Sequence, residues 1–331
     1  MSIVLLIIVA LIFVGVCWLL MQPASYEVVR RRVIKVKPEE VYPLVADFKH
    51  WSSWSPWVIH EPNTALEYGP VTDAKEGWYA WEGRHIGAGK MVHKSLVENE
   101  SIEQSLAFYR PMKSNSHVYW RFNPIGDYTE VTWGMRGKMP FLFRWMSKMM
   151  DGFVGTDYEI GLGLLAMKVG DMSEPFELEF PGEVEVEAQD YIASHFVGSF
   201  DDMKAVMHEA FPKVMQAVAY GGMAVNGAPF TLYHDFDKKK QLVVCDIAVP
   251  VVEAKHVEGL ISGTLLGQKY SRTTLKGSYD HLEKTWHSAF SHVRMYKSKL
   301  LVGKPMIERY MSDPTESEGL DLVTYLDLPI K

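Results

Sequence analysis

The chain has 331 residues, 47% hydrophobic and 23% charged, which is the balance of folded protein with room for about two domains. A net charge of -7 argues against nucleic acid as a partner, because no excess of Lys and Arg is available to displace counterions from a phosphate backbone. The two cysteines, Cys17 and Cys245, can build neither a disulfide framework nor a Cys-based zinc site, and no cofactor or metal is expected.

In chain order, Met1 to Gln22 carries no charged side chain, and Ile3 to Met21 is an almost purely apolar run. As a helix that run would be about 28 Å long, close to a bilayer core, so residues 1–22 are expected to form a transmembrane anchor. A cleaved signal fits less well, since no Lys or Arg precedes the run and no small-x-small site follows it. Val16 before Cys17 argues against a lipoprotein. Arg30, Arg31, Arg32, Lys35 and Lys37 all follow the span. The expected location is a bacterial inner membrane, crossed once, and the positive-inside rule places the domains on its cytoplasmic side, although the same charges suit the solvent face of a strand.

Beyond the anchor, Val28, Arg30, Arg32, Ile34 and Val36 alternate with their neighbours as in a half-buried strand. At Pro38 the period changes: Val41, Leu44, Val45 and Phe48 fall on one helical face, with Pro38, Glu39 and Glu40 as the helix start. GWYAWEG, GKMVHKSLVE, SIEQSLAFYR, HVYWRFNP and YTEVTWGMRG then read as an antiparallel meander. Met146, Met149, Met150, Phe153, Ile160, Leu164 and Leu165 give the closing segment helical spacing.

Residues 26–173 resemble the START-type, SRPBCC superfamily, which includes polyketide cyclase-like proteins. The resemblance rests on IKVKPEEVYPLVADFKHWSSWSPW at the front and MDGFVGTDYEIGLGLLAMKVGD at the back. It implies a helix-grip domain in which an apolar ligand lies between sheet and long helix. Trp51, Trp54, Trp57, Trp78, Trp81, Trp120, Trp133 and Trp145 could line such a pocket, but core packing is the plainer reading of each. His60, His85, His93 and His117 lie on separate elements without metal-site spacing.

The passage between Glu174-Pro175 and Pro181-Gly182 reads as a linker. After it the sequence says the same thing twice: GSFDDMKAVMHEAF at 198–211 returns 79 residues later as GSYDHLEKTWHSAF. Gly198, Ser199, Asp201, His208, Ala210 and Phe211 recur as Gly277, Ser278, Asp280, His287, Ala289 and Phe290, with each Ser a natural helix cap. Two repeats, 184–250 and 263–330, are expected, each a strand, a helix and two strands. Paired about a pseudo-twofold axis, they would leave a groove between the copies.

Residues 184–331 resemble the gyrase-inhibitor-like, AraC effector-binding domain, through GSYDHLEKTWHSAF, KPMIERYMSDP and LDLVTYLDLPI. The resemblance implies that a Glu in the second repeat, here Glu308, sits at the bottom of an aromatic-lined groove and meets cationic or polar ligands. It also implies that Trp286 faces the groove, although its helical position by itself predicts packing. Strand alternation independently puts Met306, Glu308 and Tyr310 on one face, with Leu232 as the counterpart of Glu308 in the first copy. The alternative is a Glu308 paired with Lys304 or Arg309. Glu308, Tyr310, Trp286, Tyr279 and Met306 are thus the candidate ligand residues.

The whole reads as α+β: a transmembrane helix, a helix-grip domain and a duplicated effector-binding domain. Its partners would be the membrane and a hydrophobic or cationic small molecule, which it would sense, sequester or transfer. The sequence carries no Ser-His-Asp pattern, phosphate loop or nucleotide fingerprint, so a binding protein is preferred to an enzyme. The competing reading is a hydrolase-like or cyclase-like enzyme using Glu308 as its acid or base.

Overall fold

The apolar run forms one helix, α1 (Ile3–Met21), long and apolar enough to cross a membrane and buried nowhere along its length. The computed structural model describes residues 3–237 and 240–331, which divide into two compact units, Met1–Ser173 and Glu174–Lys331.

In the first unit, strand β1 (Ser25–Ile34) leads into α2 (Pro38–Ala46), with Pro38 in its first turn and Glu40 turned back to the Lys37 backbone N–H at 3.3 Å. A 3-10 turn over Phe48–Ser53 follows. Strands β2 (Ala65–Tyr68), β3 (Trp78–Glu82), β4 (Ala88–Val97), β5 (Ser101–Arg110), β6 (Ser114–Ile125) and β7 (Tyr128–Lys138) form a meander. β1 pairs with its far edge, giving the antiparallel order β1-β7-β6-β5-β4-β3-β2. A second 3-10 segment, Phe141–Met149, precedes the long helix α3 (Met150–Lys168), which packs across β1 and β7.

The space between α3 and the sheet is occupied by the chain's own rings. Trp51, Trp54, Trp120, Trp133 and Tyr158 are each 2% exposed or less. Trp133 stacks on Tyr158 with centroids 3.9 Å apart and on Trp120 at 4.4 Å. The volume where the family resemblance implies a ligand is therefore packed, and these four tryptophans are core. Gly161 permits it, because a Cβ there would stand 2.7 Å from the Trp133 ring. His93 is structural: its buried ring stacks on Phe48, and Nε2 donates toward the carbonyls of Ala46 and Thr72 at 2.8 and 3.1 Å.

In the second unit the passage read as a linker is a strand, β8 (Phe176–Val186), and it belongs to the sheet. Its alternation of Glu with Phe, Leu and Val is that of a half-buried edge strand rather than of a tether. Then follow β9 (Gln189–Ser199), α4 (Met203–Tyr220), β10 (Phe230–Asp237), β11 (Leu242–Val251), β12 (Ile261–Leu265), β13 (Gln268–Gly277), α5 (Leu282–Met295), β14 (Met306–Tyr310) and β15 (Val323–Pro329). One eight-stranded sheet runs β12-β9-β11-β10-β14-β15-β13-β8.

The duplication is visible in the hydrogen-bond register. Tyr191 pairs with Pro250 in the first copy and Tyr270 with Pro329 in the second, both partners displaced by 79 residues. The copies also exchange their opening strands: β12 pairs with β9 through Gln189 and Leu265, and β8 with β13 through Gln268 and Val186. Only Glu187 and Ala188 separate β8 from β9, which lie near opposite edges of the sheet order. The sheet must therefore curl until its edges approach. The inside of the curl is a core of Tyr191, Phe230, Leu232, Leu265, Tyr270 and Ile307, while α4 and α5 cover the outer face.

Candidate functional site

β10 and β14 meet at the middle of this sheet, where the two copies join. Thr231 pairs with Ile247 as Glu308 pairs with Leu326, and Ile247 and Leu326 are 79 residues apart, so the counterpart of Glu308 is Thr231. The expected counterpart, Leu232, lies one residue out of register and points into the curl. Equating Leu232 with Glu308 sets Pro229 against Pro305, but the β14–β15 hairpin is longer than β10–β11, and a slip of one residue reverses the face. Thr231 and Glu308 are themselves Cα partners across the join. Their shared face, toward the helices, also carries Tyr233, Met306 and Tyr310.

Glu308 is 3% exposed, and all of its partners are neutral. Trp286 Nε1 of α5 donates to Oε1 at 2.5 Å. Tyr310 and Tyr233 donate their hydroxyls to Oε2 at 2.9 and 3.1 Å. The Thr231 hydroxyl stands 3.1 Å from that of Tyr310. Among the described residues no Lys, Arg or His forms an ion pair with this carboxylate. Arg309 points the other way, over the Phe230 ring and toward Gln189, so pairing with the adjacent cation is ruled out by strand alternation.

Burial without a counter-ion pushes the Glu308 carboxyl above its ordinary range, against three hydrogen bonds that each favour the carboxylate. The phenols of Tyr233 and Tyr310 are held well above theirs by burial and by the neighbouring acid, and so remain donors. Tyr279, in the 3-10 turn before α5, is pushed up to about 12 for the same reasons. Its ring meets Tyr310 edge-on at 5.7 Å. Phe211 of α4 meets Tyr310 at 5.4 Å, and Tyr233 meets Trp286 at 6.0 Å. Met306 packs beside Trp286.

All five residues singled out in the sequence thus converge on one spot. The carboxylate is buried, whereas Trp286, Tyr279, Tyr310 and Met306 are only half-buried, so solvent reaches the rings above the acid. The sequence reading missed Tyr233, Thr231, Phe211 and Met207, whose Sδ stands 3.9 Å from the Tyr310 hydroxyl, all of them from the first copy. Alternation along FTLYHDFD was the available signal, since it places Thr231 and Tyr233 on one face.

A second cluster lies on the face of Leu232, within the first copy. Asp246 of β11 is clasped by His195 Nδ1 and His234 Nε2, each at 2.7 Å. The histidines hold the Asp246 carboxyl below its ordinary range despite burial, and its charge raises His234.

A curled antiparallel sheet with paired helices, an internal repeat and a buried acid beneath rings defines a small-molecule-binding module. Comparison with known families agrees. Residues 25–170 match the family described as polyketide cyclase / dehydrase and lipid transport, and residues 180–331 match the GyrI-like small molecule binding domain. The chain therefore carries an SRPBCC-like domain followed by a GyrI-like domain, in the order that the sequence resemblances give. Solved structures similar to parts of it include the EcmrR C-terminal domain, at 18% identity over 47% of this chain and 98% of that one, with a TM-score of 0.40. SAV2435 bound to tetraphenylphosphonium is 12% identical over 46% of this chain and 94% of that one, at 0.36. Protein CV1439 from Chromobacterium violaceum is 16% identical over 43% and 96%, at 0.34. No curated protein matches the chain.

Proposed function

We propose that this chain is a membrane-anchored binding protein whose GyrI-like domain takes amphipathic, aromatic cations, with Glu308 as the counter-charge and Trp286, Tyr279, Tyr310 and Met306 as the walls. The observation that carries the reading is a buried carboxylate whose hydrogen-bond donors, among the described residues, are all neutral. Such a group is costly in its charged form, and a lipophilic cation entering between the rings relieves that cost by pairing while its apolar body replaces water on them. The linkage has a sign. Because the free carboxyl is raised and a bound cation would lower it, binding releases protons and tightens as pH increases. The span α1 supports the anchor, and the basic residues after it support domains on the cytoplasmic side.

The test is titration of the detergent-solubilised full chain with tetraphenylphosphonium by calorimetry, beside the Glu308→Gln variant. Loss of the counter-charge is expected to weaken binding about 10–100-fold, equivalent to about 1.4–2.7 kcal/mol. Equal affinity in the variant, or no heat from any of a panel of lipophilic cations, sinks the proposal. A competing reading is favoured by the two phenols that share Glu308 Oε2, a set able to shuttle protons. Turnover of a bound ester or lactone that vanishes in Glu308→Gln while binding persists would make this a hydrolase-like enzyme instead.

A further inference from the structure

We infer that the 3-10 segment Phe141–Met149 lies in the headgroup layer of the same bilayer that α1 enters, docking the first domain on the membrane as a second, peripheral contact; the inference rests on the anchor proposed above. Leu142, Phe143, Trp145 and Met149 are 67, 39, 43 and 44% exposed. Single apolar side chains are ordinary on a protein surface, but four within eight residues, on a segment already folded, mark a contact surface. Aromatic and aliphatic groups mixed with cations are the composition of a membrane-interface element. From Arg136 to Met150 the chain carries Arg136, Lys138, Arg144 and Lys148 and no acid, which suits anionic headgroups.

The covalent path fixes where this surface sits. Ser147 Oγ donates to the Pro23 carbonyl at 2.9 Å, and the Met139 N–H to that of Ala24 at 2.8 Å, so the segment is pinned at both ends to the residues just after α1. Pro23 follows Met21 by two residues, a reach of at most about 7.6 Å. The headgroup layer is itself roughly 5–8 Å deep on each side. A helix that leaves the hydrocarbon at Met21 therefore delivers Phe141–Met149 into that layer. Trp18, 51% exposed and less than one turn before Met21, adds a further ring at the inner border of that layer.

The opposite end of the domain supplies the control. β1 and β7 run antiparallel from the Ser25–Lys138 pair beside the anchor to the Ile34–Thr129 pair. Ten residues of strand at about 3.3 Å each separate those ends. Ile125, 50% exposed, lies in the hairpin at the far end.

The experiment places a single environment-sensitive fluorophore on Leu142→Cys or Ile125→Cys in the full chain, with Cys17 changed to Ser, in phospholipid nanodiscs with and without phosphatidylglycerol. Expected is several-fold stronger quenching at 142 than at 125 by spin-labelled lipid, the reverse with aqueous iodide, and deeper protection when anionic lipid is present. Equal iodide quenching at both positions overturns the inference. Protection from both quenchers that appears only in discs holding two chains gives the face to a second copy, and overturns it too. A carbonate wash of vesicles separates this outcome from the anchor. A chain that resists the wash with an aqueous label keeps the span and loses the docking. One that washes off with an aqueous label loses both, and one that washes off while its label in vesicles is lipid-quenched keeps peripheral docking without the span.

Discussion

Both domains cluster aromatic rings, tryptophans and tyrosines in the first and one tryptophan with tyrosines in the second, and they use them in opposite ways. In the first, Trp51 and Trp54 spend their N–H groups on the carbonyls of Val45 and Leu44 at 2.8 and 3.1 Å, and Trp120 on Gln104 at 3.2 Å, all within the core. In the second, Trp286, Tyr233 and Tyr310 turn their polar ends on a single carboxylate, and Trp286 and Tyr310 leave part of their rings to solvent. The difference teaches that ring content alone does not mark a pocket. What separates a core from a candidate site is the target of the polar handles: backbone and amide partners close a packing problem, whereas a buried acid with only neutral donors leaves one open.

The sharpest way to break this comparison is to truncate one ring on each side. Trp133→Ala removes the ring stacked between Trp120 and Tyr158 and is expected to cost about 3–5 kcal/mol in chemical denaturation of the first domain. It should leave tetraphenylphosphonium binding unchanged. Trp286→Phe keeps most of the apolar area but strips a buried carboxylate oxygen of its donor, and is expected to cost about 1–3 kcal/mol while weakening cation binding. A reversal, with Trp133→Ala abolishing binding and Trp286→Phe doing nothing, would place the site in the wrong domain.

Next in size is the Asp246 cluster. Asp246→Asn removes the charge and turns one of the two acceptor oxygens into an NH2 donor, so that one of His195 and His234 loses its acceptor, and it is expected to cost about 1–3 kcal/mol in the second domain. The pH dependence has two arms. His234 is raised, so its contribution is full below the ordinary histidine pKa of about 6.5 and fades as pH climbs through the folded value. Asp246 is lowered, so its contribution is full above about 3.9 and fades as pH falls through the folded value. Melting of the wild type against pH should therefore fall off on both sides of a plateau, and the Asn variant should flatten it.

Glu308 acts oppositely to Asp246, which makes it a finer test of the site. Its folded pKa is raised, so the charged form costs stability as pH climbs above the unfolded value of about 4.3. Glu308→Gln should remove that slope, seen as a melting temperature equal to or above that of the wild type at neutral pH. A strong destabilisation instead would mean that the acid is a structural keystone. The smallest effect concerns Cys245, whose buried thiol is pushed up to about 12 and touches Met203 Sδ at 3.9 Å. It should resist thiol reagents until the second domain unfolds, and rapid labelling in the native state would show that α4 opens readily.

Much of this was legible in the sequence because it is written in local periods. The change of period at Pro38, the alternation of Met306, Glu308 and Tyr310, and the return of GSxD…H.AF after 79 residues each constrain neighbours within a few turns or one strand. The linker reading of 174–183 failed because an edge strand rich in Glu looks like a tether when its partner, β13, is some ninety residues away. The Leu232 equivalence failed because the repeats differ in hairpin length by two residues, and register belongs to pairing rather than to alignment.

By itself the sequence determined the apolar span, the two-domain order, the duplication and the face on which Glu308 lies, all of them set by side-chain type at short range. Only the tertiary structure decided that the first domain's interior is filled, that the copies trade their opening strands, and that Thr231 is the residue opposite Glu308. It alone also turned Tyr233 and Trp286, distant in the chain, onto the same acid. Those outcomes depend on burial and strand pairing between segments tens of residues apart, where the competition among partners for the same hydrogen bonds and the same space is settled by the whole sheet at once.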